Sequence, residues 1–292
     1  MTEAIDRIQR LPIWSGPVSP LPLEGGLSNE SFTVEDRGQR FVVRLGVDLP
    51  QHHVSREREQ IAARAAHAIG LSPAVVFAEP GLMVSAFVEG RTYAAGDVRA
   101  NIQRITALIK TYHQQMPRHV SGPPALFWPF HVVRDYARML EAGNSRHRHQ
   151  LGWCVELGNR LEAQQVPLPI VFGHNDLLPA NIIDDGERLW LIDHEYAAFS
   201  TASFDLAGLA SNAQFRPDDD RELLAVYFGR MPEPELLIGH SAMKCASLLR
   251  EAMWSMVSEL QPPAAGVDYA AYTNENLARL EVALDEHRLL LR

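Results

Sequence analysis

The stretch from Val171 to Glu195 limits what this chain can fold into more than any other. Val171-Phe172-Gly173 runs into a polar turn that carries His174, Asp176 and Asn181. A second apolar run, Leu189 to Ile192, delivers Asp193, and Asp185-Gly186 between the runs can turn the chain back. Two short strands thus end in side chains able to hold a proton or a metal. Asp176 and Asn181 are five residues apart in a turn, and Asp193 follows twelve later. A carboxylate and an amide oxygen converging on one point suit a hard cation such as Mg²⁺. A further carboxylate kept off the metal can orient and deprotonate a hydroxyl, which is what phosphoryl transfer needs. Two other readings use the same residues. In one the polar groups only cap turns; in the other His174, Asp176, Asp193 and His194 hold the metal of a hydrolase.

The residues before this stretch read as a small sheet with one inserted helix. A short helix is expected over 5–11, stopped by Pro12, and Pro17, Pro20 and Pro22 keep the chain extended. Leu21 to Arg44 reads as a strand, a turn and two more strands, with turns at Gly25-Gly26-Leu27-Ser28-Asn29 and Asp36-Arg37-Gly38. The glycine pair suits either an ordinary hairpin or a loop that brings backbone N–H groups to phosphate. Ile61, Ala65 and Ile69 repeat every four residues and predict a helix over 54–69, capped by Gly70, with most of its charges on the surface. Strands follow at 74–77 and 82–84.

Glu89-Gly90-Arg91 breaks the strand pattern and marks the expected domain boundary, giving 1–88 and 89–292. Beyond it helices are expected from 102 to 116, 132–142, 150–164, 204–212, 219–229, 233–240, 241–260 and 269–291, with a loop over 121–131. His147 and His149 are assigned to a solvated loop.

Composition narrows the classes. With 292 residues, 46% hydrophobic and 22% charged, the chain is long enough for one large or two modest globular domains. A formal charge of -9 argues against a broad nucleic-acid surface but leaves room for a local phosphate pocket. Cys154 and Cys245 lack metal-ligand spacing and are expected as buried apolar residues. Met1 to Arg7 holds no apolar leader core, and no run nears the roughly 18 apolar residues needed to cross a bilayer. The expectation is a cytoplasmic protein with neither membrane nor nucleic-acid partner.

The pattern His-x-Asp-x-x-x-x-Asn, followed by Asp at a strand end, matches the catalytic loop and metal aspartate of protein-kinase-like folds. Unlike the hydrolase reading, it also accounts for Asn181 and the N-terminal small sheet. His174-Asn-Asp-Leu-Leu-Pro-Ala-Asn181, with Ile192-Asp-His-Glu-Tyr196 and Phe204-Asp-Leu206, resembles the choline/ethanolamine kinases of the aminoglycoside-phosphotransferase-like superfamily. The likeness runs from Gly25 to about Leu280 and is strongest over 172–212.

The resemblance implies a two-lobed α+β fold, a small antiparallel-sheet lobe and a mainly helical lobe, with ATP between them. It implies that Asp176 is the catalytic base and that Asn181 and Asp193 ligate Mg²⁺. It places Gly26, Ser28 and Asn29 in the phosphate loop, Arg44 on the ATP phosphates, Glu59 as the partner of Arg44, and Ala86, Phe87 and Val88 in the hinge against adenine. The acceptor pocket departs from the family. Its expected carboxylate reads Asn212, and of two expected tryptophans only Trp254 matches, the other being Glu251. Tyr269 and Tyr272 add aromatic surface for an ammonium group. The implied activity is Mg²⁺- and ATP-dependent phosphorylation of choline, ethanolamine or a related amino alcohol. The alternatives are an aminoglycoside- or sugar-type phosphotransferase, or a kinase-like protein that binds nucleotide or amine without turnover.

Overall fold

A computed structural model describes residues 2–23, 29–262 and 267–292. The chain begins with α1 (Thr2–Gln9), starting and ending a little earlier than the pattern predicts. Strands β1 (Leu21–Leu23), β2 (Glu30–Asp36) and β3 (Gln39–Leu45) follow, then α2 (Arg56–Ala68), β4 (Val75–Glu79) and β5 (Leu82–Ala86). They form one antiparallel sheet in the order β1-β2-β3-β5-β4. Asp36 pairs with Gln39, so Arg37 and Gly38 form a two-residue hairpin loop with φ of 52° and 73°. Alternation along the strands puts Phe32, Val34, Val43 and Val84 on one face, where Ile8 of α1 closes a small core.

The larger lobe is mainly helical. After β6 (Arg91–Thr92) come α3 (Ala95–Ala100), α4 (Ile102–Gln115), α5 (Pro129–Ala142) and α6 (Leu151–Glu162). Strands β7 (Ile170–Gly173), β8 (Ile182–Asp184), β9 (Leu189–Leu191) and β10 (Ala198–Thr201) precede α7 (Ala202–Asn212), α8 (Pro217–Phe228), α9 (Pro234–Ser258) and α10 (Tyr269–Leu290). β7 pairs with β10, and β8 lies between β6 and β9. One core gathers α5, α6, α9 and α10 around Tyr136, Met253 and Leu280. A second gathers α4, α7 and α8 around Tyr112, Leu191 and Leu206, and takes in Ala62, Ala65 and Ala66 of α2. The small alanines let α2 lie against the larger lobe. The loop after it is tied down as well, since Leu191 N–H donates to Leu71 O at 2.8 Å.

Four local expectations change. The helices expected over 233–240 and 241–260 are one continuous α9. Gly239 does not end it: a Cβ there would stand 3.3 Å from Gln164 O, so the glycine permits close packing. His147 is buried, bonded to Gln150 and 3.3 Å from Glu259, rather than solvated. Arg56 and Glu59, on a helix expected to carry surface charges, are both buried. Short α3, β6 and β10 were not foreseen, because two to six residues carry too little periodicity to read. Cys154 and Cys245 are buried and unpaired with each other. Among the described residues, no helix is long and apolar enough to cross a membrane.

Candidate active site

Backbone strain and one buried carboxylate set the central turn. β7 ends at Gly173, and Asn175 takes the left-handed conformation with φ of 61°. The Asp205 carboxylate, from the first turn of α7, accepts the N–H of His174 at 2.7 Å and of Asn175 at 2.6 Å. A Cβ on residue 173 would come within 3.1 Å of that carboxylate, so only glycine fits beneath it. Asn175 Nδ2 donates to Tyr196 O at 3.0 Å and Ala198 O at 3.3 Å. These bonds fix the backbone that leads to Asp176, one residue on.

The histidines support this turn. His174 Nε2 lies 3.0 Å from Ile192 O, joining the Asp176 turn to the Asp193 turn. Both ring nitrogens of His194 are engaged, by Ser72 Oγ at 2.7 Å and Tyr112 OH at 3.1 Å. Burial pushes both imidazoles below their ordinary pKa, so both are neutral. With its nitrogens engaged, His194 is not available as a ligand in the hydrolase arrangement. Among the described residues no group of three or more His, Cys, Asp or Glu stands ready to hold a metal.

Asp176, Asn181 and Asp193 come together. Asn181 Nδ2 donates to Asp176 O at 2.9 Å and lies 3.4 Å from Asp176 Oδ2, which leaves the amide oxygen outside these two contacts. Asp193 has a φ of 68°, a conformation that costs a non-glycine residue energy and is held here by its surroundings. Burial, then the charges of Asp193 and Glu251, push the Asp176 carboxyl well above its ordinary range. Burial also opposes the charge on Asp193, but Arg44 outweighs it and holds that carboxyl low. Crowded carboxylates with too little positive charge, plus an amide oxygen, are a donor set that fits Mg²⁺.

Arg44 on β3 binds this turn to the small lobe. Its guanidinium lies 2.8 Å from Glu59, 2.7 Å from Asp193 and 3.3 Å from Glu195. Arg56 bridges Glu59 at 2.7 Å and Glu195 at 3.0 Å, and Asn29 Nδ2 donates to Glu195 at 3.2 Å. Arg56 was not singled out from the sequence, because a charge in a charged helical turn carries no mark of being buried; Glu195 stood in the quoted Ile192–Tyr196 motif without a role. Gly26 and Ser28 lie outside the described residues. In the hinge, Ala86 N–H donates to Ala74 O and Phe87 N–H to Arg40 O, so both amides are already engaged by the protein. No backbone–backbone bond involves Val88 N–H among the described residues.

The aromatic residues gather around Trp254 of α9. Trp254 Nε1 donates to Tyr196 OH at 3.0 Å, and its ring stands edge-on to Tyr269 and Tyr272 with centroids 5.9 and 6.1 Å away. Glu251 accepts from Tyr272 OH at 2.8 Å and from Arg250 Nη1 at 2.5 Å. Asn212 Nδ2 donates to Leu177 O at 3.3 Å, beside Asp176, so it steadies the turn. Tyr196 and Asp205 stood in the quoted motifs without roles, and Arg250 had no signal beyond its place beside Glu251.

Known proteins resemble this chain along most of its length. Residues 21–215 match the family model of choline/ethanolamine kinase. The chain belongs to the choline/ethanolamine kinase family. It is similar to protein LicA of Haemophilus influenzae, 21% identical with 90% of this chain and 78% of that protein covered. A probable ethanolamine kinase of Arabidopsis thaliana is 25% identical, with 82% and 73% covered. A thiamine kinase of Escherichia coli is 26% identical over 63% of each chain. Among solved structures, a choline/ethanolamine kinase family protein from Mesorhizobium loti superposes with a TM-score of 0.76, at 24% identity, covering 100% of this chain and 98% of that one. A LicA structure in complex with AMP superposes with a TM-score of 0.74, at 18% identity, covering 97% and 98%. The fold of this family member is therefore the two-lobed protein-kinase-like α+β fold.

Proposed function

We propose that this family member transfers the γ-phosphoryl group of ATP, with Mg²⁺, to the hydroxyl of choline, ethanolamine or a related amino alcohol. The observation that carries the reading is the convergence of Asp176, Asn181 and Asp193 under Arg44, at the junction of the sheet and the helices. Residues 1–88 then bind the nucleotide, through the 25–29 loop, Arg44, and the hinge at Ala86, Phe87 and Val88. Residues 89–292 carry the catalytic turn and the acceptor pocket, with Asn212, Glu251, Trp254 and Tyr269 around the amine. ATP and a small alcohol suit a cytoplasmic enzyme.

Asn181 and Asp193 would hold Mg²⁺, which screens the phosphate charge and orients the phosphates. Asp176 orients the acceptor hydroxyl and takes its proton. The hydroxyl oxygen forms the new bond to the γ-phosphorus, the bond to the β–γ bridging oxygen breaks, and ADP leaves with that electron pair. Arg44, held by Glu59, supplies fixed positive charge near the phosphates.

The test is ADP release from Mg²⁺-ATP in the presence of amino alcohols, aminoglycosides and sugars. Release that depends on an amino alcohol is the expected result. Bound nucleotide with no acceptor-dependent ADP across the panel favours a protein that binds without turnover, and ADP released only with an aminoglycoside or sugar moves the acceptor to that class.

A further inference from the structure

Charged side chains from β3, α2 and the turn after β9 meet at one place. Glu59, Asp193 and Glu195 are its acids, and Arg44 and Arg56 its cations. Arg44 meets all three acids, with Nη1 on Glu59 and Asp193 and Nη2 on Glu195. Arg56 meets two of them through a single nitrogen: its Nη1 donates to Glu59 Oε2 at 2.7 Å and to Glu195 Oε2 at 3.0 Å. Glu59, Glu195 and Arg56 are all buried. Two guanidinium groups thus answer three carboxylates away from bulk water.

The surrounding chain is shaped to keep Arg56 in this place. Its Nε donates to Val47 O at 2.9 Å, and its own amide donates to Asp48 Oδ1 at 2.7 Å. A Cβ on residue 46 would stand 3.0 Å from Arg56 Nε and 2.1 Å from Asn29 Oδ1, so only glycine lets both side chains reach the cluster. Asn29 Nδ2 donates to the same Glu195 oxygen that Arg56 holds.

A buried carboxylate is costly unless a cation answers it. If Arg56 were absent, Glu59 and Glu195 would depend on Arg44 for that charge, and Arg44 would offer less to any further anion. Building on the kinase reading, we propose that Arg56 is a positioning residue for Arg44. By answering Glu59 and Glu195, it leaves the Arg44 guanidinium able to exchange Asp193 for the nucleotide phosphates. Arg56 acts on the affinity for Mg²⁺-ATP through Arg44 and not by touching the nucleotide. A residue that only fastened α2 to the turn after β9 would change stability and leave that affinity alone.

Calorimetric titration with Mg²⁺-ATP tests this. Arg56→Gln should raise the Kd by about 10-fold, and KM for ATP should rise with it while kcat changes less. Arg56→Lys should bring the affinity back to near wild type, because one nitrogen makes both ion pairs and an ammonium can stand in its place. An Arg56→Gln protein with wild-type affinity overturns the proposal and leaves Arg56 as a fastening, read as lost stability in urea. An Arg56→Lys protein as weak as Arg56→Gln overturns it too. If Arg56→Gln does not fold, Glu195→Gln decides. That change takes one acid from Arg44, so tighter Mg²⁺-ATP binding supports the proposal, and equal or weaker binding overturns it. Acceptor-dependent ADP release reports on the kinase reading separately. Nucleotide bound without turnover rejects that reading and leaves the titrations to judge Arg56, whereas a wild-type protein that binds no Mg²⁺-ATP rejects both.

Discussion

The Nε2 of His113 stands 2.8 Å from the carboxylate of Asp205, 92 positions along the chain, and both side chains are almost wholly buried. The other ring nitrogen of His113 lies 2.7 Å from Tyr227 OH. A line of contacts thus runs from α8 through α4 and α7 to the backbone of His174 and Asn175, next to Asp176. Burial opposes the charge on Asp205, but His113 and the His174 amide outweigh it and hold the carboxyl below its ordinary range.

Asp205→Asn puts an NH₂ where one carboxylate oxygen receives a donor. The variant should lose about 3–5 kcal/mol of stability and most of its turnover, read by urea unfolding and ADP release. Stability within about 1 kcal/mol of wild type would mean that Asp205 does not brace the turn.

Asp176→Asn keeps the volume of the side chain but removes the proton acceptor. Phosphorylation of the true acceptor should fall by about 10²–10⁴-fold with the fold intact. A rate near wild type removes Asp176 from the role of base.

Asp193→Ala takes away the carboxylate proposed to hold Mg²⁺ while Arg44 keeps its 2.8 Å pair with Glu59. ATP affinity of the wild-type protein should rise when Mg²⁺ is added, and that of the variant should change little. Calorimetry with and without Mg²⁺ separates the two; an undiminished Mg²⁺ effect counts against the ligand role.

His52 is pushed by burial from 6.5 down to about 3. Between those values the unfolded chain binds a proton that the folded chain does not, so stability is present above pH 6.5 and is lost as pH falls toward 3. One such group gives a slope of about 1.4 kcal/mol per pH unit. His53, His174 and His194 are displaced in the same direction and add to it. Unfolding measured from pH 7.5 to 5 should show stability falling with acid, and His52→Gln, which keeps a hydrogen-bonding group beside Tyr136 and Ser258, should flatten the curve by about one group's share. An unchanged slope would place the proton uptake elsewhere.

Burial pushes the thiols of Cys154 and Cys245 up to about 11 and about 12. Neither should react with a thiol reagent such as DTNB in the native protein, and both should react in guanidinium. Rapid native labelling would show that one of these helices opens.

Several features were legible because they lie close together in the chain. The Asp176, Asn181 and Asp193 turn sits within one short stretch between two apolar runs, and alternation or four-residue repeats announce most of the strands and longer helices. The local period also misled where it was weak: 233–240 and 241–260 read as two helices, although α9 runs unbroken from Pro234 to Ser258.

The amino-acid sequence by itself determined that Asp176, Asn181 and Asp193 come together, because spacing along two strand ends fixes which side chains share a turn. It also determined the α+β class, because hydrophobic period is a local property. Only the tertiary structure decided what surrounds that turn. Glu195 meets Arg56 from 139 residues away, and Asp205 meets His113 across two helices. Arg250 holds Glu251 beside it and turns its face to the Tyr196 ring, 54 residues back in the chain. Each depends on which charged groups burial brings together, and that is settled by packing between distant segments rather than by the residues on either side.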